Sequence, residues 1–139
     1  MPLNNKVWLN GTFDVLHMGH IRLFEYAKSY GGATLRHKNY VCVGVDTDAR
    51  VKELKGESRP INRLSHRIEF LESIRFIDEV VVFGSDDELM LRMIEFNPDV
   101  MIIGGDYRGK KIVGEQFLKK IEYFDRYGGL SSSKIINGS

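Results

Sequence analysis

The stretch Val7-Trp8-Leu9-Asn10-Gly11-Thr12-Phe13-Asp14-Val15-Leu16-His17-Met18-Gly19-His20 decides the fold. Val7, Trp8 and Leu9 are apolar in succession, as a strand covered on both faces requires. They run into a short glycine-bearing segment. Directly after His20, Ile21, Leu23, Phe24 and Ala27 mark one apolar face of a helix. The local unit is therefore a strand that gives way at once to a helix.

Outward from there the same alternation continues. Val41–Val45, Val80–Phe83 and Val100–Ile103 read as further strands, and a weaker one lies at Ile121–Phe124. Ile68, Leu71, Ile74 and Ile77 mark a second helical face at spacing near three. Leu89, Leu91, Met93, Ile94 and Phe96 mark a third, which stops before Asn97-Pro98. The run from Val113 to Lys120 predicts one more helix, and Gly31-Gly32 with Ala33 to Asn39 reads as an exposed loop. This alternation predicts an α/β fold: a single Rossmann-like, doubly wound domain over residues 1–139, with a parallel sheet of about five strands. Ligands of such folds bind at the carboxyl ends of the strands, where strand order reverses.

Composition narrows the classes. The chain has 139 residues, 42% apolar and 28% charged, a globular balance suited to one core. A net charge of +1 gives no overall basic field for nucleic acid or an anionic membrane. Cys42 is the only cysteine, so no internal disulfide forms, and its apolar neighbours predict a buried, inert thiol. Met1 to Lys6 lacks the apolar stretch of a signal peptide. No segment approaches the roughly 20 apolar residues of a membrane span. The expectation is a cytoplasmic protein with neither a nucleic-acid nor a membrane partner.

His17 and His20 stand three apart where the first strand becomes a helix. At that spacing both rings can face one side of the first turn. Free backbone N–H groups and the positive end of the helix dipole lie there too, a setting suited to phosphate oxygens. Gly11 and Gly19 permit close approach to the backbone. An isolated pair could equally be a helix cap and a surface residue. Two histidines without further ligands make a poor metal site.

The whole string Gly11-Thr12-Phe13-Asp14-x-x-His17-x-Gly19-His20 resembles the signature of the cytidylyltransferase-like family of nucleotidyltransferases. The branches with sugar or polyol phosphate substrates are most similar. They include glycerol-3-phosphate cytidylyltransferase and the adenylyltransferase domain of ADP-heptose synthase. Val45 to Lys52 with Leu54-Lys55-Gly56 resembles the family's second-strand segment and lysine loop. Arg59-Pro60-Ile61-Asn62, Arg67, Ile103-Gly104-Gly105-Asp106-Tyr107 and Ile112-Val113-Gly114 resemble the heptose branch. Gly129 to Ile136 resembles the closing glycine-serine motif, and Arg126 an arginine of the glycerol-phosphate branch. Gly128 departs from a common glutamate, and Ser132 and Ser133 from commoner threonines that share the hydroxyl.

The resemblance implies the reaction and the roles. A nucleoside monophosphate passes from ATP or CTP to a small phosphorylated acceptor, and pyrophosphate leaves. His17, His20 and Lys55 are implied as catalytic. Gly11, Thr12, Phe13, Asp14, Gly19, Asp106, Arg126, Ser131 and Ser132 are implied for the nucleotide. Asp14, Lys52 and Arg67 are implied for the acceptor. Without the resemblance, Lys52 and Lys55 would read as a solvated loop, Arg67 as a surface ion-pair partner and Asp106 as a turn cap. Asp14 could order its loop or face the substrate. No protein metal site is expected; Mg2+ is implied as a companion of the nucleotide, and a homodimer is the family's common assembly.

Overall fold

The computed structural model describes residues 4–34 and 37–125. Arg126, Ser131, Ser132, the Gly129–Ile136 motif and the terminal Asn137-Gly138-Ser139 lie outside the described residues. Five strands, β1 (Lys6–Gly11), β2 (Tyr40–Asp46), β3 (Glu79–Phe83), β4 (Val100–Gly104) and β5 (Ile121–Phe124), form one sheet of order β3-β2-β1-β4-β5. Every pairing is parallel. The fold is Rossmann-like α/β, as the alternation predicts. The chain builds leftward from β1 to β3, then crosses back to place β4 on the other side of β1. Strand order therefore reverses between β1 and β4, and a crevice opens at their carboxyl ends.

The helices are α1 (Met18–Ser29), α2 (Asp48–Lys55), α3 (Leu64–Glu72) and α4 (Asp86–Phe96). Alternate strand residues serve opposite layers, because side chains on a strand have period two. Val7, Leu9, Val41, Val43, Val45, Val100 and Ile102 pack against Phe24 and Ala27 of α1 and Leu71 of α3. Trp8, Cys42 and Met101 face the other way, against Leu89 and Met93 of α4. Gly44 is where Trp8 crosses β2. A Cβ there would come within 2.8 Å of the indole.

Four local expectations are corrected. The lysine segment is not a loop: α2 begins at the Thr47 N-cap, whose hydroxyl accepts from Arg50 N–H, and ends at Gly56 with φ 102°. Its one buried residue, Val51, left too little apolar periodicity to read. Conversely, Val113–Lys120 holds only a 3-10 turn at Glu115–Phe117. Helix α3 stops at Glu72, before Ile74 and Ile77. Successive bonds from Ile74 N–H to the Leu71 carbonyl and from Ile77 N–H to the Ile74 carbonyl preserve the spacing of three beyond it. Finally, Asn39 is buried rather than in an exposed loop. Its amide donates to the Ala27 and Tyr30 carbonyls and its oxygen accepts from Asn5 N–H. No helix among the described residues is long and apolar enough to cross a membrane.

Candidate functional site

A cleft of about 630 Å3 lies over the carboxyl ends of β1 and β4. The β1–α1 turn forms its centre, with Gly11, Thr12, Phe13, Asp14, Gly19 and His20 on its wall. One flank follows β2 and carries Asp46, Arg50, Leu54, Lys55 and Arg59. The other follows β4 and carries Ile103, Gly104, Asp106, Ile112 and Val113. Of the residues singled out in the sequence, the cleft gathers Gly11, Thr12, Phe13, Asp14, Gly19, His20, Lys55 and Asp106.

The two histidines cap α1 reciprocally. His17 is the N-cap, and its Nδ1 accepts from Gly19 N–H at 3.0 Å. His20 reaches back, and its Nδ1 accepts from His17 N–H at 3.2 Å. The ring centroids are 4.0 Å apart. This is a capping box built from imidazoles instead of a hydroxyl and a carboxylate. It has a chemical consequence. A neutral ring whose Nδ1 accepts carries its proton on Nε2, so that edge of each ring is a hydrogen-bond donor. The sequence predicts free backbone N–H groups at this tip; here the caps occupy two of them, and of the two rings His20 lines the cleft while His17 lies behind it. The positive pole of the helix remains.

Phe13 braces the pair. Its backbone sits at φ 50°, a region uncommon for a bulky residue. Its ring meets His20 edge-on at 5.7 Å and lies beneath Gly11, where a Cβ would be 3.2 Å from Cζ. A side chain at Gly11 would press on the Phe13 ring, which would have to give by a few tenths of an ångström.

Asp14 orders the loop from its place on the cleft wall. Its carboxylate accepts from Ile61 N–H (2.8 Å), Asn62 N–H (2.7 Å) and Arg59 Nε (3.1 Å), and its side chain is wholly buried. Burial alone would raise this carboxyl, but the bonds from Ile61, Asn62 and Arg59 prevail and hold it below its ordinary value.

Arg67 is corrected from acceptor ligand to strut. It is 0% exposed. Its Nε donates to the Asn62 carbonyl, Nη1 to the Thr12 and Asp46 carbonyls, and Nη2 to Asp48 Oδ1. It ties the β1 turn, the end of β2 and the starts of α2 and α3 into one piece, and it presents nothing to the cleft. Lys52 is also displaced from the acceptor role. It is exposed on α2 and lies off the cleft wall.

Lys55 does reach the cleft. Removal from water, then the nearby Arg59 charge, lower its pKa, while Asp46 and Asp14 oppose the shift. Asp46 behaves in reverse: burial raises it, against the pull of Arg50, Arg67 and Lys55. Arg50 bonds Asp86 and lies 3.7 Å from Asp46. Arg50, Arg59 and Asp46 are cleft residues to which sequence reading gave no role. Arg50 and Asp46 stand i,i+4 across the start of α2, a spacing that marks an ion pair but not which way it faces. On the β4 side, the Asp106 carboxylate sits over Gly104, where a Cβ would be 2.8 Å from Oδ1.

The described residues contain no group of three or more His, Cys, Asp or Glu side chains able to hold a metal ion. Asp14, the carboxylate at the helix tip, spends its oxygens on N–H donors. The side chains of the described residues therefore do not fit a resident magnesium site.

The profile of the cytidylyltransferase-like family matches residues 8–138. A bifunctional protein HldE of Campylobacter fetus is 40% identical over 131 residues, 94% of this chain and 27% of that protein. One from Campylobacter jejuni is 43% identical, again over 94% of this chain and 26% of the relative. The chain thus spans about a quarter of the length of these curated relatives. Among solved structures, a lipopolysaccharide core biosynthesis protein from Thermoplasma volcanium superposes with a TM-score of 0.67 at 23% identity, covering 88% of this chain and 98% of its own. A pantothenate synthetase from Thermus thermophilus gives 0.60 at 15% identity, covering 97% of this chain and 62% of its own. These structures share the fold.

Proposed function

The chain belongs to the cytidylyltransferase-like family of nucleotidyltransferases, and from that premise we propose its reaction: transfer of a nucleoside monophosphate from ATP or CTP to a sugar or polyol phosphate, with release of pyrophosphate. The preferred pair is ATP with a sugar 1-phosphate, as in the adenylyltransferase domain of ADP-heptose synthase. The likeness to proteins named HldE over 94% of the chain supports that branch. Transfer from CTP to glycerol 3-phosphate is the second reading, favoured by Arg126 in the sequence.

One observation carries the proposal: the reciprocal histidine cap at the end of β1. A phosphate oxygen of the acceptor attacks the α-phosphorus, an O–P bond forms, and the bond to the β-phosphate breaks with its electron pair leaving on pyrophosphate. The nucleophile is already anionic, so no strong base is needed. The barrier lies in bringing anions together and in charge moving onto the leaving group. His20, which lines the cleft and is held by the His17 backbone, and the helix pole stabilise that charge without reorganising. Lys55 adds a cation from the β2 flank. Asp106 and the apolar Ile112 and Val113 suit the nucleoside. A magnesium ion carried by the triphosphate itself would neutralise part of its charge.

Pyrophosphate release measured across ATP and CTP, each with sugar 1-phosphates and glycerol 3-phosphate, tests the reading. Turnover with one pair is expected. Tight nucleotide binding with no pyrophosphate from any pair would instead make the chain a nucleotide-binding module. A homodimer, a cytoplasmic setting and the absence of nucleic-acid partners belong to the same proposal; light scattering and RNA retention assays check the first and the last.

A further inference from the structure

Two arginines that border the β1 turn, Arg67 fully buried and Arg59 largely enclosed, behave differently. Arg67 engages Nε, Nη1 and Nη2 with protein acceptors. Arg59 engages Nε with Asp14, while its Nη2 is buried and has no hydrogen-bond partner. The Arg59 side chain is 12% exposed and stands on the cleft wall. A buried charged donor left unmade costs free energy that a purely structural guanidinium avoids, as Arg67 does. Asp14 fixes the orientation of the Arg59 fork but leaves one side of it unsatisfied. Lys55 lines the same flank, and the two like charges disfavour each other. Two cations held together, one with an idle buried N–H, describe a receptor for an oxyanion.

We propose that Arg59, with Lys55 beside it, binds the phosphate group of the acceptor, at a place separate from the nucleotide's phosphates. This rests on the nucleotidyltransferase reading above. The position in the sheet favours the acceptor over the nucleotide as the source of that phosphate. The flank after β4 carries the apolar Ile103, Ile112 and Val113, suited to a nucleoside. The histidine-capped tip of α1 takes the triphosphate between the flanks. The flank after β2 is left for the second reactant, and a phosphate monoester carries about two negative charges at neutral pH, matched by one guanidinium and one ammonium.

Inorganic phosphate serves as the probe for the monoester head. Its binding is followed by titration calorimetry on the full chain, alone and saturated with the non-hydrolysable α,β-methylene analogues of ATP and CTP. Wild-type protein is expected to bind phosphate in both states. Arg59→Gln should weaken phosphate binding at least tenfold while changing analogue affinity less than threefold. Arg59→Lys, which keeps a charge but loses the fork, should recover part of the loss and controls for damage to the Asp14 turn. Phosphate should also raise the pKa of Lys55 in wild type, read by NMR of the Lys55 side chain, and much less in Arg59→Gln. Unchanged phosphate affinity in Arg59→Gln overturns the proposal, as does phosphate binding that the analogue abolishes. An equal loss of analogue affinity would assign Arg59 to the triphosphate and overturns it too. Failure of wild type to bind either analogue sinks the nucleotidyltransferase reading instead, and the phosphate titration of Arg59→Gln still decides whether Arg59 is an oxyanion receptor.

Discussion

Replacing Arg67 by Met should unfold the protein about 10 °C earlier. Methionine roughly matches the length of the apolar stem but carries no donors. The change strands the Thr12, Asp46 and Asn62 carbonyls and removes the partner of Asp48. Breaking a buried charged network by deleting one partner typically costs about 3–5 kcal/mol. Asp48 is 41% exposed, so water recovers part of its share. A net loss of about 3 kcal/mol follows, from a total that for such domains is only about 5–15 kcal/mol. At about 3–4 °C per kcal/mol for a chain of this size, that is about 10 °C in Tm. Thermal and urea unfolding followed by circular dichroism measure it. Asp48→Asn, which weakens the Nη2 bond and the bond from Leu64 N–H to the same oxygen, should cost about 1 kcal/mol. The contrary result is a midpoint within about 3 °C of wild type together with a raised KM for the acceptor. That outcome would restore Arg67 as a ligand and refute its assignment as a strut.

Three further outcomes are expected. His17→Ala and His20→Ala should each lower turnover by about a hundredfold or more, as loss of a charge-stabilising donor does, and lower stability by about 1 kcal/mol through the lost cap; wild-type turnover in both variants would remove the pair from the chemistry. Asp14 is held below its ordinary value of 3.8, so its stabilisation is present above that pH and is lost as pH falls through its lower folded value. The stability gap between wild type and Asp14→Asn should therefore be constant near neutrality and begin to close only in acid below about pH 4; a gap that already closes between pH 7 and pH 5, as a raised carboxyl would produce, contradicts the bonding described. Burial, and then the Glu79 charge, push the Cys42 thiol up to about 12. Iodoacetamide at neutral pH should leave the native protein unlabelled and alkylate it only when urea unfolds it; rapid native labelling would contradict the burial.

The sequence by itself determined the architecture. Runs of successive apolar residues separated by amphipathic segments admit few arrangements other than a parallel sheet covered on both faces. Those patterns are local, with periods of one turn or one pleat, so Val41–Val45 or Leu89–Phe96 could be placed without knowing their neighbours. The histidine pair was legible for the same reason, because strand, turn and helix start are contiguous. Features that depend on partners far along the chain were not legible. Arg67 and Arg59 are similar arginines in similar polar company, yet one reaches carbonyls at Thr12 and Asp46 and the other stands on the cleft wall with one N–H group left without a partner. Lys52 and Lys55 read alike until the fold places the end of α2, with Lys55, on the cleft wall and leaves Lys52 off it. Asn39 reads as loop until Ala27 and Tyr30 supply acceptors for its amide. Only the tertiary structure decides such cases, because whether a polar side chain is spent inside or offered to a ligand depends on which distant backbone groups folding brings within hydrogen-bond reach.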